Sequence, residues 1–319
     1  MAVMKAIRAF FDAQGFWEVE TPILQVTPVM DTHIHGFKTE VLGTDLKHER
    51  DMYLHTSPEF AMKKLMVAGC PKIYQVAHVF RNGEGSKLHS PEFTLLEWYR
   101  AEAGYEDIMD DCVGLLRFVA ETLEIEAYRS GGKACDPFGD WLRITVAEAF
   151  GFYAGIDLAA HLEDTEGFSA AIAAKGIRVA EGDSWDDLFH AVMAEKIEPQ
   201  LGMDVPCILY DYPVSMASLS RRKPEDARFA ERFEMYVCGV ELCNAFGELT
   251  DAAEQRTRFI EEMDIKEKLY GERYPIDEDF LAALEYGLPE SGGNALGVDR
   301  LVMLASGAED IEDVLWSPV

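Results

Sequence analysis

Basic residues are scarce in this 319-residue chain: 29 Lys and Arg stand against 58 Asp and Glu, a formal net charge of −29. So acidic a surface repels nucleic-acid phosphates wherever no local basic patch overcomes it. The densest basic cluster is Arg221-Arg222-Lys223, so the charge weighs against a tRNA-binding body without excluding one, and solubility is its simplest explanation. Paired cysteines are missing too. None of Cys70, Cys112, Cys135, Cys207, Cys238 and Cys243 forms a C-x-x-C, and no His lies at zinc-ligand spacing from a pair of them. That excludes a zinc ribbon and predicts buried or free thiols in a reducing cytosol. There is no signal-peptide pattern and no apolar run of membrane length, so the expectation is a cytoplasmic protein without a membrane partner. Repeats and low-complexity stretches are absent as well, which excludes solenoid architectures. What is present, 48% hydrophobic and 27% charged residues, suits a soluble globular enzyme with a full core.

Residues 3–14 carry apolar positions at helical spacing and stop at Gly15, and 16–21 reads as a strand ended by Pro22. The pattern predicts strands near 52–55, over 72–80 and over 207–210. A helix is expected over 59–68, capped by Thr56 or Ser57 with Pro58 in its first turn. Residues 106–125 form an amphipathic helix, and 251–269 and 276–286 read as helices. Residues 145–205 look like a helical insertion, and 224–236 like a helix running into a strand. Residues 237–240 make a tight turn, and the glycine-rich turn 292–297 leads into a helix from Val298.

Three stretches carry chemistry. From Val79 to Tyr99 the chain reads as strand, polar loop and strand, with Arg81 near one end and Phe93, Leu95, Glu97 and Tyr99 sharing a face of the second strand. Arg81 offers a planar fork for a carboxylate or phosphate, and Glu97 and Tyr99 can meet an ammonium. The same pattern alone also describes a salt-bridged sheet edge. In the second stretch, a two-residue turn at Cys238-Gly239 sets Tyr236 opposite Glu241 and puts Glu234 on the face of Glu241. Two carboxylates so placed repel unless a cation such as Mg²⁺ sits between them. Asn244 and Glu248 have the wrong parity for that face unless the strand bulges or ends near 245–247. In the third, a glycine-rich turn entering a helix suits phosphate, and Arg300 in the first helical turn adds a cation. Thr32-His33-Ile34-His35 lacks a third metal ligand and reads as a polar loop. Cys238 and Cys243 flank the hairpin without a base partner, so a thiol nucleophile is not expected.

Together these stretches resemble the class II aminoacyl-tRNA synthetases, in the lysine-type group that includes the lysyl-tRNA synthetase catalytic domain and its short paralogues. The likeness spans nearly all of residues 1–319 and is strongest over 56–59, 80–100, 233–251 and 295–304. It implies one α+β catalytic domain, an antiparallel sheet flanked by helices, with the insertion at about 145–205. It also implies a homodimer built through the first helix and strand. The activity implied is a ligase reaction in which ATP, with Mg²⁺, activates (R)-β-lysine or lysine as an adenylate.

The roles carried over by position follow. Arg81 and Arg300 would be catalytic, on the substrate carboxylate and the phosphates. Ser57, Pro58, Glu59, Glu97, Tyr99, Asn244, Glu248 and Ala295 would line the amino-acid site. Asn82, Gly83, Glu84, His89, Ser90, Phe93, Leu242 and Gly297 would join Arg81, Glu241 and Arg300 around ATP, with His89 on the phosphates and Phe93 stacked on adenine. Glu234 and Glu241 would hold Mg²⁺. Three positions depart from the lysyl-tRNA synthetase pattern. Gly83 stands where Glu is frequent and Ser90 where Asn is frequent, which puts adenine contacts in doubt. Ala295 replaces Gly, as in the short paralogues. The first motif begins within the first residues, so no anticodon-binding domain is expected, a few residues are expected to be missing upstream, and the acceptor implied is a lysine of elongation factor P and not tRNA, with a truncated lysyl-tRNA synthetase-like ligase or an amino-acid amide synthetase of the same fold as the alternatives.

Overall fold

The computed structural model describes residues 1–318. Among these, eight strands form the central sheet: β1 (Trp17–Glu18), β2 (Lys72–Phe80), β3 (Glu92–Ala101), β4 (Leu142–Thr145), β5 (Cys207–Pro213), β6 (Phe229–Val237), β7 (Val240–Gly247) and β8 (Ser291–Gly297). Their order is β1-β2-β3-β8-β7-β6-β5-β4. Neighbours are antiparallel except at the two edges, where β1 and β4 pair parallel with β2 and β5. A three-stranded sheet of Leu24–Gln25, Phe37–Leu42 and His48–Leu54 accompanies it. This is the α+β architecture expected.

Period two divides the main sheet into a core face and a cleft face. On the core face, Tyr74, Trp98, Phe233 and Ala245 are buried under α1 (Ala2–Ala13), α3 (Tyr105–Thr122) and α6 (Val298–Ser306). Phe11 of α1 stacks on Tyr74 with ring centroids 4.8 Å apart, which uses the apolar stripe read from residues 3–14. Around the cleft face, α2 (Glu59–Val67), α4 (Ala252–Tyr270) and α5 (Glu278–Gly287) share a second cluster, where Phe60 stacks on Phe280 at 4.4 Å. Residues 146–200 are mostly helical and bury Phe150, Phe168 and Phe189 together with Tyr212 and Tyr236 of the sheet. Among the described residues no helix is long and apolar enough to cross a membrane.

Three local expectations need correction. The first strand keeps only Trp17–Glu18. Residues 224–228 contain no helix. Asp226 accepts from the Arg228 backbone N–H and pairs with its guanidinium at 2.6 Å, closing a turn that leads directly into β6. The glycines at 292–293 are not in a turn but in β8, in the middle of the sheet. A Cβ at Gly292 would strike Ile108, and one at Gly293 would strike the Tyr99 ring and Glu248 Oε1. Close approach, and not turn formation, explains this glycine run.

Candidate active site

The register draws one straight row across the cleft face: Gln75, Glu97, Ala295, Asn244 and Glu234, on β2, β3, β8, β7 and β6 in turn. Asn244 joins this row because β7 carries a bulge. Tyr236 opposes Glu241, but Met235 opposes Cys243, so Leu242 is the extra residue. The bulge that parity demanded therefore exists, and lies three residues earlier than expected. It turns Asn244 onto the face of Glu241. Leu242 buries its side chain in the core and still borders the cleft.

The cleft encloses about 180 Å³ and opens to solvent. Ser57, Glu59, Arg81, Glu84, His89, Ser90, Phe93, Glu241, Asn244, Ala295, Gly297 and Arg300 line it. Arg81 lies over the Phe93 ring, 5.2 Å from its centroid, and its Nε donates to the Thr56 carbonyl at 3.4 Å. Arg300 is held by three acceptors: the Glu241 carbonyl at 2.8 Å, the Leu88 carbonyl at 3.3 Å and His89 Nε2 at 2.6 Å. A guanidinium only donates, so His89 Nε2 must accept and Nδ1 carries the ring proton, facing Ser86 Oγ at 2.8 Å. Burial and the Arg300 charge push the His89 pKa down. His89 thus anchors Arg300 and also lines the cleft, on the side where the phosphates were expected. Asn82 and Gly83 are exposed in the loop, outside the cleft lining, with the Asn82 N–H donating to the His35 carbonyl at 2.7 Å.

The floor beneath the lining is acidic: Glu59 borders the cleft, whereas Glu97, Tyr99 and Glu248 are buried below it and do not line it. Glu97 is fully buried and accepts from Ser57 Oγ and, at 2.9 Å, from the Tyr99 hydroxyl. Burial and the nearby Glu59 push its pKa up to about 8. Ser57 Oγ also accepts from the Glu59 N–H at 3.1 Å, tying the start of α2 to Glu97, while Pro58 is the N-cap. Glu248, 1% exposed, is pushed up to about 7 by burial, with Glu59 adding to the shift. One cation answers this charge. Lys63, 1% exposed and one turn beyond Glu59, places Nζ 2.5 Å from Glu59 Oε1 and 2.5 Å from Glu248 Oε2. Its signal in the sequence was the i,i+4 spacing from Glu59, the pairing distance of a helix.

The two carboxylates assigned to Mg²⁺ are not equivalent. Glu234 accepts from Tyr212 and Tyr236, each at 2.6 Å, and from Arg232 at 2.5 Å, and it does not line the cleft. The bare dicarboxylate of the hairpin reading is corrected: Arg232, two residues before Glu234 and on the same face, supplies a resident cation and also donates to Asn244 Oδ1 at 3.2 Å. Glu241 has 43% of its side chain open. Even so, the surrounding protein and the neighbouring Glu234 push it up to about 7. A cleft-facing carboxylate under such repulsion fits a cation that brings further ligands on phosphate oxygens. Among the described residues no cluster of three or more His, Cys, Asp or Glu could hold a metal alone.

The remaining candidates fall away. His33 faces the Tyr270 hydroxyl at 2.9 Å and His35 pairs with Glu272 at 2.7 Å, so each has its own partner. Cys238 and Cys243 are buried in the core. Arg221, Arg222 and Lys223 are each paired, with Glu231 at 2.6 Å, with Glu254 at 2.9 Å and with Asp211.

The family model described as tRNA synthetases class II (D, K and N) matches residues 1–319. The elongation factor P–(R)-β-lysine ligase of Proteus mirabilis is 41% identical over 318 residues, covering 99% of this chain and 93% of that protein. The protein of the same name from Klebsiella pneumoniae (strain 342) is 41% identical over 316 residues, 98% of this chain and 92% of the relative. A lysine–tRNA ligase of Pelotomaculum thermopropionicum is 38% identical over 319 residues, 99% of this chain but 62% of that protein.

Proposed function

Since the chain belongs to the class II tRNA synthetases of the D, K and N group, we propose that it is an ATP-dependent ligase that activates (R)-β-lysine, or lysine, and transfers it to a lysine side chain of elongation factor P. The observation that carries this is the division of one cleft into two electrostatic halves. Arg81 and Arg300 border it on the phosphate side. Glu59, Ala295 and Asn244 line its other side, with the buried Glu97 and Glu248 gathered behind Glu59. A nucleotide triphosphate and a diamino acid complement those halves. The ligases acting on elongation factor P are matched over 92–93% of their length, which supports this acceptor. The 38% identity to a lysine–tRNA ligase favours tRNA as the second reading. A homodimer through the exposed Trp17 and Leu24 belongs to the same proposal.

The chemistry proceeds in two displacements. A carboxylate oxygen of the amino acid attacks the α-phosphorus, the bond to the bridging oxygen breaks, and pyrophosphate leaves. The ε-amine of the acceptor lysine then attacks the acyl carbon, loses a proton, and AMP departs. Arg81, at the cleft wall, offers a fork for the substrate carboxylate beside the α-phosphate, and Arg300, fixed by its three acceptors, meets phosphate charge without reorganising. Glu59, Glu97, Tyr99 and Glu248 hold the amino groups, so binding energy aligns the reacting oxygen. Mg²⁺, if held by Glu241 with Glu234 behind it, would supply charge neutralisation at the phosphates. ATP–pyrophosphate exchange tests the first displacement: it is expected to require (R)-β-lysine or lysine and to need neither tRNA nor a protein acceptor. Exchange with neither amino acid would overturn the reading.

A further inference from the structure

The acidic floor contains a cation that no step above uses. Lys63 Nζ sits between Glu59 Oε1 and Glu248 Oε2, at 2.5 Å from each, and all three side chains are 7% exposed or less. Glu59 is on α2 and Glu248 just past β7. Each gives Lys63 a single oxygen. Glu248 Oε1 is buried and accepts no hydrogen bond, and it lies where a Cβ on Gly293 would stand, one layer behind the residues that line the cleft. Glu59 Oε2 has no hydrogen-bond donor among the described residues.

We propose that Lys63 is a positioning residue that sets both amino-group subsites of the diamino substrate, by turning one oxygen of Glu59 and one of Glu248 inward and leaving the other oxygen of each for a substrate ammonium. The inference rests on the diamino-acid reading of the cleft. One rigid ammonium shared by the two carboxylates fixes the spacing between the subsites, which is the quantity a diamino acid must match. It also sets the charge. Three floor carboxylates, Glu59, Glu97 and Glu248, against one ammonium leave two negative charges when all are ionised, and a diamino substrate brings two ammonium groups.

The groups facing this centre are Glu59 from α2, Glu97 and Tyr99 from β3, and Glu248 beyond β7, with Arg221 acting on Glu248 from further away. Burial alone would lower the Lys63 pKa, but Glu248 and Glu59 outweigh it and leave the pKa raised, so Lys63 remains an ammonium. In return Lys63 pulls Glu97 and Glu248 down from the values burial gives them. Without Lys63 both carboxyls titrate higher still, and Glu248, at about 7 in its presence, loses charge near neutral pH, where a neutral carboxyl is a poorer acceptor for an ammonium.

The test is Lys63→Met, with steady-state pyrophosphate exchange for (R)-β-lysine and for lysine at about pH 7 and about pH 8.5, beside ATP binding and thermal melting as folding controls. The expected result is a KM for the diamino acid raised about hundredfold at the lower pH, a smaller rise at the higher pH as the carboxyls ionise, and unchanged ATP affinity. Lys63→Arg preserves the charge and carries the test if the Met variant does not fold. Its guanidinium cannot place one donor at the shared point, and KM is expected to rise about tenfold with kcat nearly constant. A wild-type KM in the folded variant, or a loss in kcat equal at both pH values, would overturn the positioning role. Wild-type protein that exchanges with no diamino acid would instead fail the functional reading itself.

Discussion

Replacing Arg300 by Ala removes a cation that three acceptors fix in place: two carbonyls, of Glu241 and Leu88, and the neutral ring of His89. The guanidinium is 18% exposed, so its attraction to a phosphate is screened less than that of a surface arginine. One preorganised charge-assisted contact to a reacting phosphate is worth about 3 kcal/mol, or roughly a hundredfold in rate. His89→Ala keeps the cation and removes one of its three anchors. A net hydrogen bond is worth about 1 kcal/mol, so the expected loss is about fivefold. The assay is kcat/KM for ATP in amino-acid-dependent pyrophosphate exchange, with melting temperature as the folding control. Two results would refute the reasoning. One is Arg300→Ala within about threefold of wild type. The other is His89→Ala as damaging as Arg300→Ala, which would mean that His89 touches phosphate itself.

Two further outcomes follow from the cleft. Ala295 lies between Glu97 and Asn244 in the cross-strand row, and a methyl-sized contact discriminates by about 1–3 kcal/mol, or roughly ten- to two-hundredfold; wild type should favour (R)-β-lysine over lysine within that range, and Ala295→Gly should narrow the gap by improving lysine, read as kcat/KM for both isomers in both proteins. Glu97, raised from 4.5 to about 8, keeps a proton in the native state that the unfolded chain releases over that window, so its ionisation costs stability as pH rises by up to about 1.4 kcal/mol per unit; Glu97→Gln should therefore gain on wild type from about pH 5 to about pH 8 in denaturant unfolding, and a pH-independent difference would contradict the burial argument.

Much of this architecture was legible because period counting is local. The helix over residues 3–14, the strands at 72–80 and 207–210, and the pairing of Tyr236 with Glu241 needed only side-chain alternation and a two-residue turn. What sequence reading missed was non-local. The bulge at Leu242 depends on how β7 meets β6, and parity could show only that some irregularity was needed. The glycine run looked like a turn because its reason, Ile108 on one face and the Tyr99 ring with Glu248 on the other, comes from distant segments. A helix before β6 gave way to a side-chain turn between Asp226 and Arg228. The charge partners were the least legible part. Lys63 and Arg232 stand at pairing distance from Glu59 and Glu234 in the sequence, but which carboxylates are already answered, and which remain free for a ligand, is set only when the strands assemble.

The central claim is that the activated diamino acid is delivered to a protein lysine. Intact-mass spectrometry of elongation factor P, after incubation with this protein, ATP, Mg²⁺ and each lysine isomer in turn, measures that directly. The expected result is a gain of one lysyl residue on a single lysine of elongation factor P, dependent on ATP, greater with (R)-β-lysine, and lost with Arg300→Ala. Efficient aminoacylation of tRNA by the same preparation, with the mass of elongation factor P unchanged, would contradict it.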